Sequence, residues 1–363
     1  MTEPAAQRAT RFPWVVGILL GIGYALVVRL VATDPVLRFI KIPEVVSFSF
    51  ILLMPVAMGA ITVWFGSQQQ RSRYTFRIFA PWLTIAGAYT IFLITALETV
   101  VCLVMLFPAF AIASSVGGLL GGWGATFIQS RRKTTLMCIA LLPLIFGPIE
   151  ELFPVQTEFR TVTTNRVVHA PQDTVWRHIA SVPRIQAEEL PWSFSHAIGL
   201  PKPLEARLEK KDNGATRNIY WERDVQFFEH ITEWEEGQSF SYRVDVTPAA
   251  RALRVLDMHI VIGDQYFDIV SGRYSLTSLG NGDTLITLST TYRMTTRINF
   301  YGKLWADFTL DDFHRVILKV IENRSERNAA SLTNLLPVRK ETAASDVQPL
   351  SRQKAGRETI NET

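Results

Sequence analysis

Residues 299–328 read NFYGKLWADFTLDDFHRVILKVIENRSERN, and this stretch decides how the second half of the chain folds. Tyr301, Leu304, Trp305, Phe308, Phe313, Ile317, Val320 and Ile321 recur mostly three or four residues apart, which gives a broad apolar stripe. Lys303, Asp307, Asp311, Arg315, Lys319 and Glu322 fall elsewhere. The spacing predicts one long amphipathic helix with Asn299 as its N-cap, and the basic residues between Arg315 and Arg327 suit the negative end of its dipole. The aromatic rings on the stripe bury more area than a surface helix needs, so a concave apolar partner is expected around it.

The segments upstream supply that partner. Thr157 to His169 reads as a strand and Asp173 to Ala180 as a short helix, opened by Pro171 and closed by Pro183. After an irregular stretch from Glu188 to Pro203 come six alternating segments: Leu204–Lys210, Thr216–Glu222, Val225–Trp234, Ser239–Val246, Asp268–Leu279 and Thr284–Thr295. Asp212-Asn213-Gly214, Glu235-Glu236-Gly237 and Gly280-Asn281-Gly282-Asp283 have the composition of antiparallel hairpin turns. Phe240, Tyr242, Val244 and Val246 share one face against Ser239, Ser241, Arg243 and Asp245. Ile286, Leu288, Thr290, Tyr292 and Met294 share one against Thr287, Ser289, Thr291 and Arg293. A sheet with a single apolar face must cover it, and the long helix is the natural cover.

This succession resembles the helix-grip fold of the START-like superfamily, also called SRPBCC or polyketide cyclase and lipid-transport proteins. Ala170-Pro171-x-x-x-Val175-Trp176, the stretch up to Gly199-Leu200-Pro201, Tyr266-Phe267-Asp268, Gly272-x-Tyr274 and the closing helix carry the resemblance, which covers roughly Thr157 to Arg327. It implies a domain over 157–328 with a deep cavity between helix and curled sheet, used for lipids, sterols, polyketides or other apolar ligands. It brings no universal catalytic residue and no cofactor. Phe240, Tyr242, Tyr274, Tyr292, His259, Trp305, Phe308 and His314 are the candidate ligand-facing residues.

His259 and His314 are the histidines suited to general-base work or to binding a polar head group, the alternative being satisfied structural histidines. No metal-ligand spacing, Gly-x-Ser-x-Gly elbow or phosphate-binding glycine loop is present. Alternation places Arg217 and Trp221 on the face opposite Tyr220 and Glu222, which gives no support to a paired acid–base site within that strand.

The first half, 1–152, is mostly apolar. Phe12–Val31 and Val45–Phe65 each have about the 20 residues a helix needs to cross a bilayer. Ala80–Ile128 reads as two helices joined by a tight turn at Phe107-Pro108, and Thr134–Glu150 as a fifth span with Pro143 and Pro148, four spans being the alternative. Arg29 is placed to snorkel to the interface. Arg8, Arg11, Arg71, Arg73, Arg77, Arg131, Arg132 and Lys133 mark the cytoplasmic side. The N-terminus is therefore expected inside and, with five spans, the helix-grip domain on the non-cytoplasmic side. Glu98 is an acid within an apolar run, either functional or reaching the interface. Gly17, Gly21, Gly117, Gly118, Gly121 and Gly122 have the small-xxx-small spacing of close helix contacts, between copies in a homo-oligomer or within one chain.

A net charge of +4 with dispersed basic residues argues against nucleic acid. Cys102 and Cys138 both lie in apolar runs and leave no disulfide framework or cysteine-based zinc site in the second half. Residues 336–363 are charged, small and aperiodic, the composition of a disordered tail. Three functions fit these features. The leading one is a membrane-anchored protein that binds a lipid or other apolar molecule. The others are a cyclase- or dehydratase-like enzyme in the same cavity and a ligand-binding regulator of the membrane half.

Overall fold

The computed structural model describes residues 13–33, 47–127, 132–150, 152–211, 214–246 and 262–335. The expectations for His259, Arg8, Arg11, Arg131 and the tail 336–363 lie outside these residues. The first half is a helical bundle: α1 (Pro13–Thr33), a π-helical turn Ser49–Leu53 leading into α2 (Met54–Trp64), a single turn α3 (Gln68–Arg71), α4 (Tyr74–Ile94), α5 (Val100–Phe127) and α6 (Arg132–Glu150). Three helical segments, Pro13–Val31, Tyr74–Ile94 and Val100–Ala125, are long and apolar enough to cross a membrane, while Ser49–Trp64 and Met137–Glu150 are shorter.

Three expectations change here. The chain does not turn at Phe107-Pro108: Pro108 lies inside α5, and the break falls at residues 95–99. A proline withholds one N–H and is tolerated in apolar helices packed on neighbours. The stop comes instead from Ala96, at φ 50°, with Leu97 N–H donating to the Phe92 carbonyl at 2.9 Å, the bonding of a glycine-type C-terminal cap carried by alanine. Arg29 does not snorkel either. It is fully buried, its guanidinium meets Glu98, and Nη2 donates to the Leu97 carbonyl at 2.9 Å. Arg77, expected in a loop, is buried within α4 against Gly122 of α5.

The small-xxx-small glycines are used inside the chain. Gly17 and Gly21 face α2, Gly117 and Gly121 face Val56 and Ala60, and Gly118 faces the Arg77 carbonyl. A side chain at Gly117 would meet the Val56 backbone, so α2 and α5 approach as closely as they do because this position has no Cβ.

The second half is a seven-stranded antiparallel sheet in the order β1-β7-β6-β5-β4-β3-β2. Its strands are β1 (Thr157–Val168), β2 (Pro203–Lys211), β3 (Gly214–Trp221), β4 (Val225–Glu235), β5 (Ser239–Val246), β6 (Phe267–Ser278) and β7 (Thr284–Thr295), with α7 (Gln172–Ala180) and the one-turn α8 (Phe194–Ala197) between β1 and β2. Register shifts at Pro203/Glu205, Ile231/Glu233 and Ile269/Ser271 mark bulges, which bend the strands they interrupt and help the sheet curl. The curled face grips α9 (Asn299–Leu335). Leu318, Val320 and Ile321 of α9 are fully buried in one cluster with Val175, Ile179 and Ile286. Burying each such side chain stabilises the fold by about 2 kcal/mol.

Asn299 is the first helical residue of α9 rather than its N-cap. Its Oδ1 accepts from Thr296 N–H at 2.8 Å and its Nδ2 donates to the Gln156 carbonyl at 2.9 Å, which fastens the helix start to the chain entering β1. The same end of α9 is fastened to the bundle. Tyr301 Oη donates to the Met105 carbonyl of α5, Ile298 joins the bundle core, and Arg297 donates to the carbonyls of Glu150 and Phe153.

Candidate functional site

Between the curled sheet and α9 lies a cavity with about 1260 Å³ of empty space, counted out to its mouth. Ile219, Trp221, Phe227, Val244, Leu288 and Phe313 supply much of its apolar wall. All but Phe313, which comes from α9, belong to the inward set of their strands, so the period-2 pattern that made the sheet one-sided also made the cavity apolar.

Among the described residues a buried charged pair, Arg217 and Glu229, interrupts that wall, and Glu205, paired with Arg207, also lines it. β3 and β4 are joined by Glu222-Arg223-Asp224, in which Arg223 and Asp224 both have positive φ (60° and 56°), the left-handed backbone of a tight hairpin turn. This loop sets Trp221 opposite Val225 and therefore Arg217 opposite Glu229, both on the inward face. Arg217 Nη1 donates to Glu229 Oε2 at 2.7 Å, and both side chains are more than 90% buried. The guanidinium also lies over the Tyr274 ring, 5.5 Å from its centroid, and its Nε has no hydrogen-bond partner among the described residues. Burial pushes the Glu229 carboxyl above its ordinary value, against the opposing pull of Arg217 and of the Tyr242 hydroxyl that bonds it. The Tyr242 ring lies across β5 and β6 over Gly272, where any Cβ would collide with it.

A second polar group lies on α9. Thr164 Oγ1 donates to Asp311 Oδ1 at 2.7 Å, since a carboxylate only accepts, which leaves that oxygen to accept from His314 Nδ1–H at 3.0 Å. His314 Nε2 then accepts from the Thr290 hydroxyl at 2.8 Å. Both ring nitrogens are thus engaged within the protein, and the imidazole is a satisfied, neutral group in the cavity wall rather than a poised base.

His314 makes stability depend on pH. Burial lowers its pKa from 6.5 to about 4, against a smaller upward pull from Asp311. The unfolded chain takes a proton on this residue near pH 6.5 and the folded chain only near 4, so the unfolded state gains protons first and stability falls as pH drops through that window. From this group alone the fold is expected to be about 3 kcal/mol less stable at pH 4 than at pH 7. Thermal unfolding of His314→Gln across the same range should show a flatter slope, and parallel slopes for the two proteins would refute the assignment.

Of the residues expected to face a ligand, Tyr242, Tyr274 and His314 line the cavity, together with Arg217 and Glu229, which had not been assigned to a site. Phe240 is fully buried behind the wall, stacked between Trp234 and Tyr274. Tyr292 is also buried behind it and donates to Asp307 Oδ1 at 2.7 Å. Phe308 is exposed beside Phe194 on the outer side of α9. Trp305 lines a separate cavity at the junction with the bundle. The Arg217–Glu229 pair had a signal in the sequence: each charge falls in phase with the apolar residues of its own strand, Ile219 and Trp221 for one, Phe227 and Ile231 for the other.

No family model matches this chain. A comparison with curated proteins also finds no match. Among solved structures it is similar to the Zhui aromatase/cyclase from Streptomyces sp. R1128, at 14% identity, covering 48% of this chain and 98% of that one with a TM-score of 0.31. TTHA0849 from Thermus thermophilus gives 16% identity over 47% of this chain and 99% of its own, with a TM-score of 0.31. Norcoclaurine synthase from Thalictrum flavum, in complex with dopamine and hydroxybenzaldehyde, gives 12% identity over 48% and 88%, with a TM-score of 0.29. Values this low transfer no activity or ligand.

Proposed function

We propose that this chain is a membrane-anchored binding protein of START-like type, whose cavity takes up a lipid or lipid-like amphiphile. The observation that carries the reading is an apolar cavity with one buried, internally paired charge couple in its wall. Hydrocarbon entering such a wall gains about 0.8 kcal/mol per buried CH₂. The pair carries no net charge, so it favours a neutral head group, and Arg217 Nε can donate to a hydroxyl or carbonyl oxygen there. The three helices long enough to cross a bilayer support the anchor. Arg71 and Arg73, between α2 and α4, support placing the helix-grip domain on the non-cytoplasmic side, since α9 meets the start of α5 and the end of α6 at the opposite end of the bundle.

Native mass spectrometry of the full-length protein tests this. One amphiphile is expected to co-purify, and Val244→Trp, which fills the cavity from β5, to reduce the bound fraction about tenfold. A protein that is always bare and takes up no apolar probe would count against the proposal.

An enzyme of the cyclase or dehydratase kind is favoured by a single observation, the titratable Glu229 and Tyr242 facing the cavity. It requires the bound molecule to be converted during incubation, by loss of water seen as a mass change or by ring closure at constant mass seen as a changed chromatographic and absorbance signature, a conversion lost in Glu229→Gln while binding persists. The features that suggested a regulator of the membrane half, Glu98 and the glycine-rich helix, are accounted for by the pairing with Arg29 and by close packing in the bundle.

A further inference from the structure

We propose that the junction between the bundle and the helix-grip domain is a second hydrocarbon-binding compartment, an antechamber through which the chain of a bilayer amphiphile passes into the inner cavity. This rests on the reading that the inner cavity binds such a molecule. The junction holds an apolar hollow of about 1170 Å³, open solvent at its mouth included. One wall is the first turns of α5, with Val101, Cys102, Met105 and Leu106. The facing wall comes from α9, with Trp305 and Thr309. Val101 begins a segment apolar and long enough to cross a membrane, so this wall continues into the surface that meets lipid in the proposed anchor.

The two compartments share four residues, Ile262, Ile269, Leu310 and Phe313. They meet where the sheet parts. The β5–β6 ladder ends at Arg243↔Ser271, and Val244 and Val246 beyond it line the inner cavity with no pairing to β6 among the described residues. Phe313 stands in the shared wall, held edge-on by Trp221 at 4.9 Å between ring centroids and stacked on His196 at 5.4 Å. Of the four shared residues it is the one aromatic ring, and its displacement is the movement this proposal requires for the two spaces to join. The junction walls are almost wholly apolar, and Tyr301 Oη is already bonded to the Met105 carbonyl, so the compartment suits an acyl or isoprenoid chain. The head group's place remains at Arg217 and Glu229 in the inner cavity.

The test follows uptake of a pyrene-labelled long-chain alcohol from the bilayer of nanodiscs that contain the full-length protein. Cys102→Trp and Thr309→Trp fill the antechamber from its two walls, and Cys138→Trp adds the same bulk at an exposed position on α6. Both fillers are expected to slow uptake about tenfold, the effect of a barrier raised by about 1.4 kcal/mol, with final occupancy unchanged and Cys138→Trp unaffected. Phe313→Ala, which opens the shared wall, is expected to speed uptake and keeps the idea testable should a filler fail to fold. Unchanged rates in the fillers and in Phe313→Ala would overturn the antechamber while leaving the inner site intact. Failure of the unsubstituted protein to take up the probe at all would overturn the binding proposal and this one with it.

Discussion

Arg217→Met is expected to destabilise the full-length protein by about 3–5 kcal/mol, because it leaves the Glu229 carboxylate buried without its cation. Glu229→Met should cost a similar amount by stranding the guanidinium over the Phe240 and Tyr274 rings. The informative protein is the double variant. With both charges replaced by packed hydrocarbon, most of the loss should be regained, and the coupling read from the thermodynamic cycle should be large and favourable. The double variant also separates stability from recognition. It is expected to hold a plain hydrocarbon probe as well as the unsubstituted protein does, and to bind a long-chain alcohol about tenfold more weakly, the worth of one hydrogen bond of about 1.4 kcal/mol. Additive losses in the two single variants would mean that the pair does not act as a unit.

In the bundle, Arg29→Leu is expected to have an effect of the same size. It would remove the buried cation that pairs with Glu98 between α1 and the turn before α5, at a cost of about 3–5 kcal/mol, and the bond to the Leu97 carbonyl that helps hold that turn. The readout is the thermal unfolding midpoint of detergent-solubilised protein. Arg29→Lys should recover only part of the loss, because an ammonium cannot reproduce the forked contact with both Glu98 and the carbonyl. A midpoint for Arg29→Leu equal to that of the unsubstituted protein would show the pair to be dispensable.

Much of the second half was legible because its physics is local. Alternation along residues 239–246 and 284–295 gave both strands and their inward faces, and the stripe from Tyr301 to Ile321 gave the gripping helix. What stayed hidden depended on partners distant in sequence or on exceptions to residue preference. The turn before α5 uses Ala96 in a conformation that glycine normally marks, so the proline twelve residues later looked like the better break. Arg29 looked like an interfacial residue, and Glu98 like either a functional acid or an interfacial one, until the segments carrying them were packed together. Arg217 and Glu229 each fell in phase with the apolar residues of its strand, but that they face one another followed only from the register of the β3–β4 hairpin, whose turn passes through Arg223-Asp224 rather than a glycine. The junction cavity has no sequence signature at all, being made by two domains whose apolar patterns are each complete on their own.

The short link at residues 152–156 looks like a tether, yet Arg297 reaches back to hold the carbonyls of Glu150 and Phe153 at its start. A leash would let the helix-grip domain sweep a hemisphere and meet molecules arriving from any direction. A clasped link makes it a fixture, with its junction cavity turned permanently toward its own bundle. On the proposed function, capture would then be a problem of lateral traffic in two dimensions, its rate set by how often a molecule drifting in the plane of a bilayer passes one stationary doorway.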